Sequence, residues 1–204
     1  MNDCGCHAEV TEDPKQRRVL QIALALNLTM AIVGSIGGWL AQSTGVMADA
    51  LDMLSDALAY GIALAAIGRA ILFKARAATL SGAILLALGI GVLVEVGRRF
   101  WFGSEPVSAA MLALGALSLA VNVVVLRLLR PFKTGEVHLR ATWIFTRADV
   151  VANIGVIAAA VLVMLLGSAI PDLVIGAAIG CYVIKEALEI LSEARESRRT
   201  EALS

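Results

Sequence analysis

The chain has 204 residues, 59% of them hydrophobic and 17% charged, with a mean hydropathy of +0.82. That balance excludes an ordinary water-soluble domain and makes a bilayer the natural solvent. Its 17 basic and 17 acidic side chains cancel, which removes the overall field a nucleic-acid partner would need and shifts the information to where the charges sit.

Residues 1–16 form a polar leader containing Cys4, Cys6 and His7. Two thiols and an imidazole are a candidate accessory site for a soft metal such as zinc, set against a plain solvated tail; they are one ligand short of a closed structural zinc site. Cys181 lies far away in an apolar run, so no disulfide framework is indicated. The leader is polar and mixed in charge, and the first apolar run is long enough to span a bilayer, a pattern unlike a cleavable signal peptide.

Spanning a bilayer core takes about 20 predominantly apolar helical residues. Runs of that kind fall at 19–41, 45–68, 77–97, 107–129, 142–167 and 171–192. They predict an all-α integral membrane protein, a six-transmembrane-helix bundle over residues 17–192, with residues 193–204 as a charged cytoplasmic tail in which the last helix frays. Most connections are short, so consecutive helices should run antiparallel. Lys15, Arg17, Arg18, Arg69, Lys74, Arg76, Arg130, Lys133, Arg140, Arg195, Arg198 and Arg199 fall on one side, and only Arg98 and Arg99 on the other. The positive-inside rule then places both termini in the cytoplasm. Pro171 and Asp172 suit the first turn of helix 6, the one lacking an N–H and the other complementing the helix dipole.

Asp49, Asp52 and Asp56 occur at i, i+3 and i+7 in the second run, which puts three carboxylates on one helical face. The fifth run adds Asp149, with Asn153 one turn further on, and the first run contributes Asn27. Each ionisable group near mid-bilayer costs about 2.5–3.5 kcal/mol, so four carboxylates oppose insertion by roughly 10 kcal/mol unless they are partnered or wet. A function that uses them is one explanation; helix-to-helix hydrogen bonding, with Arg147 neutralising Asp149, is the plainer one. Carboxylates from two helices facing one point would form an oxygen site for a divalent ion, and when empty they would hold protons that an arriving metal displaces.

At Ala48-Asp49-Ala50-Leu51-Asp52-Met53-Leu54-Ser55-Asp56 and again at Asp149 to Gly155, the chain resembles the cation diffusion facilitator family of divalent metal/proton antiporters. The resemblance implies a tetrahedral metal site near the membrane midplane, built by a His-or-Asp, three residues, Asp motif on helix 2 and a similar motif on helix 5. Asp52 and Asp56 match the first pair and Asp149 the second position of the other. The remaining position is Phe145, which has no donor atom. Asn153 is the first candidate to complete the set, followed by Asp49, Asn27, Thr146 or water. By the same resemblance the metal is a transported substrate and no permanent cofactor is needed: zinc leads, with manganese, iron, cobalt, nickel and cadmium open. Proton-coupled efflux from the cytoplasm across a bacterial inner membrane is implied. The family's cytoplasmic ferredoxin-like domain is not found in these 204 residues, so a homodimer would have to form through the membrane helices, for which the pairs Gly34/Gly38 and Gly176/Gly180 have suitable spacing, as they do for packing within one chain.

Two other classes stand beside transport: a sensor or scaffold that binds metal without releasing it, and an intramembrane enzyme. The Asp-Gly-x-x-Ala-Arg lead of membrane phosphotransferases and the Gly-x-Gly-Asp of intramembrane proteases do not occur at Asp52 or Asp149, which argues against catalysis. His138, beside Arg140, is expected to be a loop histidine; Trp39, Trp101 and Trp143 are expected to be interfacial anchors.

Overall fold

The structure, a computed structural model, describes residues 14–65, 71–132 and 137–201. Cys4, Cys6 and His7 therefore lie outside the described residues. Six α-helices are present: α1 (Pro14–Leu40), α2 (Thr44–Ala65), α3 (Ile71–Phe102), α4 (Ser108–Leu129), α5 (Val137–Leu166) and α6 (Ile170–Glu201), with a single 3-10 turn at Arg130–Phe132 and no strand among the described residues.

Four of the helices contain stretches long and apolar enough to cross a membrane: Arg17–Leu40, Ala78–Phe102, Ser108–Leu129 and Thr146–Leu166. The polarity of the bundle is inverted relative to a soluble protein. Large apolar side chains such as Ile36, Leu80, Val94, Val151, Leu165 and Val174 are exposed, while Asn27, Asp49, Asp52, Asn122, Asp149 and Asn153 are buried. Such a surface is stable only against hydrocarbon, and the chain is an integral membrane protein. Trp39 and Trp101 are strongly exposed at the ends of α1 and α3, as interfacial anchors require.

Helix α2 occupies the centre of the bundle and touches each of the other five helices. Around it, α1 packs along one side, α3 pairs with α6, and α4 pairs with α5. The main apolar core joins Val46, Ala48 and Leu51 of α2 to Val92 of α3, Met111 of α4 and Val156 of α5. The helix that carries Asp49, Asp52 and Asp56 is thus the central one, which lowers the cost of carrying them.

Small residues let its neighbours come close. A Cβ on Gly176 of α6 would lie 2.6 Å from Thr44 Oγ1 and 2.8 Å from the Thr44 carbonyl carbon; on Gly34 and Gly38 of α1 it would reach 2.9 Å from Ala50 Cβ and from Met47 N respectively. Gly180 faces Val92 and Leu93 of α3. Both glycine pairs are therefore used inside the chain.

Asp172 has a role the sequence did not suggest. It lies in the first turn of α6, where its charge complements the helix dipole as expected, and it is fully buried and also caps α2. Its Oδ2 accepts from Thr44 N at 2.7 Å and Thr44 Oγ1 at 3.0 Å, and its Oδ1 from Gly45 N at 3.0 Å and Ser43 Oγ at 2.5 Å. One carboxylate thereby satisfies two of the orphan N–H groups that begin α2.

Helix α6 continues to Glu201, beyond the fraying expected after residue 192. Its final turns are rich in strong helix formers. They keep a packed side through Ala187 and Ala194, and Arg198 Nη2 donates to Thr79 Oγ1 of α3 at 2.9 Å.

Two substitutions check this account by thermal unfolding in detergent. Gly176→Ala, which drives a methyl into the Thr44 backbone, should cost about 1–3 kcal/mol, whereas Gly91→Ala, with nothing within 4 Å of its new methyl, should leave stability unchanged or slightly raised. Asp172→Ala, which orphans the start of α2, should cost at least about 2 kcal/mol.

Candidate functional site

Because α2 and α5 run antiparallel, their polar residues meet in three successive rungs. At one end the hydroxyls of Tyr60 and Thr146 approach to 3.4 Å. In the middle Asp149 of α5 is within hydrogen-bonding reach of both Asp52 and Asp56 of α2. At the other end Asn153 Nδ2 donates to Asp49 Oδ1. The carboxylates therefore sit between a hydroxyl pair and an amide–carboxylate pair, with Asp49, Asp52 and Asp149 buried and Asp56 partly so.

The position along each helix supports this site. Asp52 and Asp56 flank the middle of the 22-residue α2, and Asp149 lies near the middle of the 30-residue α5. One turn of helix separates Asp52 from Asp56, about 6 Å along the axis, so a single carboxyl from the facing helix can reach both. Two carboxyl groups at hydrogen-bonding distance require a proton between them, since ionised carboxylates are acceptors only. Asp149 Oδ2 is buried and without a protein hydrogen-bond partner, which leaves its lone pairs unused.

Among the described residues, no three carboxylates, imidazoles or thiols are grouped so that they could hold a metal ion as they stand. The centre instead consists of pairs sharing Asp149.

Asp49 and Asn153, the other two candidates, belong to a neighbouring network. Asp49 also accepts from Ser118 of α4, and Asn153 Oδ1 accepts from Asn122 Nδ2 of α4 at 3.1 Å. The amide of Asn153 is engaged at both ends, so turning its oxygen to an ion would require releasing Asn122. Asn122 thereby forms a hydrogen bond from α4 to α5. Asn27 donates to Ala23 O of its own helix at 3.0 Å. Arg147 is exposed, unlike Asp149 two residues on.

One further acid approaches the centre. Glu186 of α6 accepts hydrogen bonds from Ser55 of α2 and from Tyr182 of its own helix, and its charge acts on Asp52, Asp56 and Asp149. Sequence reasoning did not single it out. The signal was present in the periodicity: Glu186 follows the buried Ile179 by seven residues and the buried Val183 by three, which places it on the packed face of α6.

Comparison with known proteins agrees with the geometry. The chain is 29% identical over 195 residues to the metal cation efflux system protein CzcD of Cupriavidus metallidurans, covering 86% of this chain and 62% of that protein. It is 25% identical over 196 residues to the zinc transporter ZitB of Yersinia pestis, covering 90% and 62%. It is 29% identical over 188 residues to the proton-coupled zinc antiporter SLC30A2 of Mus musculus, covering 79% and 50%. The chain thus spans less than two thirds of the length of these relatives. The family model described as the cation efflux transmembrane domain matches residues 20–197, a stretch that takes in α2 to α5 whole, most of α1 and α6, and every member of the buried polar centre. The chain belongs to the cation efflux family, the cation diffusion facilitators.

Proposed function

We propose that the chain carries a divalent metal cation through the membrane in exchange for protons, with Asp52, Asp56 and Asp149 as the core of the binding centre. The observation that carries this reading is the meeting of three carboxyls from α2 and α5 midway along buried helices, with one oxygen of Asp149 unpartnered. A mere scaffold would gain more from apolar packing than from acids that share protons.

The chemistry of exchange follows from the pairing. Metal-free, the carboxyls are held together by shared protons; a divalent ion needs the same oxygens deprotonated and displaces those protons. Binding on one side of the membrane and reprotonation on the other then couple the two fluxes. Rocking of helix pairs about a fixed centre is the movement such carriers use. Asp49 and Asn153 form the adjoining rung, from which either could join the coordination sphere.

Zinc is the leading substrate, with cadmium and cobalt next, since relatives bear names with these metals; manganese, iron and nickel follow from the oxygen donors. Efflux from the cytoplasm is the direction supported by the relatives' names. A cytoplasmic position for both termini is supported by the basic residues flanking α1, α2, α4 and α6, and a bacterial inner membrane by the likeness to bacterial relatives.

Purified protein in liposomes with an imposed proton gradient tests the proposal. Wild type should accumulate zinc, and acidifying the side on which zinc loads should slow it. Asp52→Ala, Asp56→Ala and Asp149→Ala should each lower flux more than about 100-fold, beyond the loss typical of a residue that only supports a ligand. Undiminished flux in all three would eliminate the centre, and tight zinc binding without flux in wild type would replace the carrier with a sensor.

A further inference from the structure

We propose that the cavity between the ends of α1 and α3 binds the phosphate of an anionic membrane lipid, with Arg99 as the principal contact and Arg98 and Ser104 beside it. It lies at the end of the bundle where α1 and α3 finish and α2 and α4 begin, apart from the aspartates shared by α2 and α5.

An arginine without a full set of partners marks the site. The Arg99 side chain is only 3% exposed. Its Nε donates to Glu95 Oε1 at 2.7 Å and its Nη2 lies 4.0 Å from Met47 Sδ of α2, while its Nη1 is buried with no hydrogen-bond partner. A guanidinium stays charged, and a buried charged donor left unpaired is costly. Glu95 does not make up the deficit, because Arg98 also engages both of its oxygens, through Nε and Nη2 at 2.7 Å. Two guanidiniums on one carboxylate leave one positive charge in excess.

The surroundings are those of a binding site. Arg99 lines a cavity of about 440 Å³ together with Arg98, Ser104, Gln42, Trp39 and Leu40, a size within the range of ligand pockets. Ser104 brings a second buried donor, its Oγ having no partner. The walls are held in place: Val107 N donates to Ala41 O at 2.9 Å and Glu105 N to Gln42 Oε1 at 3.4 Å, which fixes the α3–α4 loop against the α1–α2 turn. The carboxylate of the same loop, Glu105, belongs to a residue lining the neighbouring cavity with Val163 and Gly167 and not this one.

Depth and charge identify the occupant. Trp39, strongly exposed, forms one wall, and interfacial tryptophans sit at headgroup level, where lipid phosphates are concentrated. The exposed Leu40 beside it offers an apolar flank to the first acyl carbons. A phosphodiester carries a single negative charge, matching the excess on the arginines, and its free oxygens suit a guanidinium fork. In a zwitterionic lipid the ammonium group already balances that charge, so an anionic headgroup such as phosphatidylglycerol is preferred. The contact of Arg99 with Met47 ties the bound lipid to the start of α2.

The test is lipid retention by the purified full chain, read by native mass spectrometry from micelles containing equal amounts of phosphatidylglycerol and phosphatidylcholine. Wild type should prefer phosphatidylglycerol at least about tenfold, and Arg99→Gln should lose about tenfold in that preference, the scale of one charge-assisted hydrogen bond. Arg98→Gln, which alters an exposed side chain, should lose several-fold and decides the matter if Arg99→Gln does not fold. Glu95→Gln removes the competing carboxylate and should hold phosphatidylglycerol at least as well as wild type, whereas a purely structural ion-pair cluster would lose by it. Arg130→Gln, an exposed arginine where α4 finishes, should behave as wild type. Equal retention of the two lipids by wild type would overturn the proposal. So would an undiminished preference in Arg98→Gln and in whatever Arg99→Gln folds, or a loss in Arg130→Gln or Glu95→Gln as large as in those variants. Displacement of phosphatidylglycerol by millimolar inorganic phosphate would overturn the lipid assignment and leave a site for a free anion.

Discussion

Everything in this bundle depends on how α2 is placed. A helix with three carboxylates in its middle cannot face hydrocarbon cheaply, and the chain answers by surrounding it with the other five helices. Two devices hold it there. The glycines of α1 and α6 bring backbones within contact distance, and the Asp172 carboxylate binds the first N–H groups of α2 from across the helix interface. The cost of burying one acid at the end of α2 thus stabilises a helix whose purpose is to bury three more.

The same placement gives the centre its chemistry. In water, three neighbouring acids would ionise and repel; on the proposed reading Asp52 and Asp56 are each paired with Asp149 inside the bundle, and such pairing demands protons. A site that must be protonated when empty and deprotonated when occupied links proton and metal without any moving part beyond access itself. The rungs on either side contribute to this. Tyr60 and Thr146 close one end with hydroxyls, while Asp49, Asn153, Asn122 and Ser118 make a hydrogen-bonded layer joining α2, α4 and α5 at the other.

Much of this was legible in the sequence, for specific reasons. Six apolar runs foretold six helices because hydrocarbon imposes length and composition together. The i, i+3, i+7 spacing of Asp49, Asp52 and Asp56 foretold a shared face, since a helix admits no other arrangement. That α2 is central was not legible, because which helix the others surround is a matter of tertiary packing. The role of Asp172 was hidden for the same reason: a helix-start signal in sequence says nothing of a neighbour 128 positions away. Glu186 was overlooked because Lys185-Glu186-Ala187-Leu188-Glu189 reads as a solvated charge run. Its partial burial follows from the face it shares with Ile179 and Val183, and the persistence of α6 to Glu201 accompanies the packing of α6 on α3.

The central claim is that one divalent ion is held between α2 and α5 by carboxylate oxygens. X-ray absorption at the metal edge of zinc-loaded or manganese-loaded protein, with an anomalous difference map of the same sample, addresses it directly. The account predicts a first shell of oxygen alone and a single peak among Asp52, Asp56 and Asp149. A shell containing sulfur or nitrogen, or a peak outside the bundle with none between these helices, would contradict it.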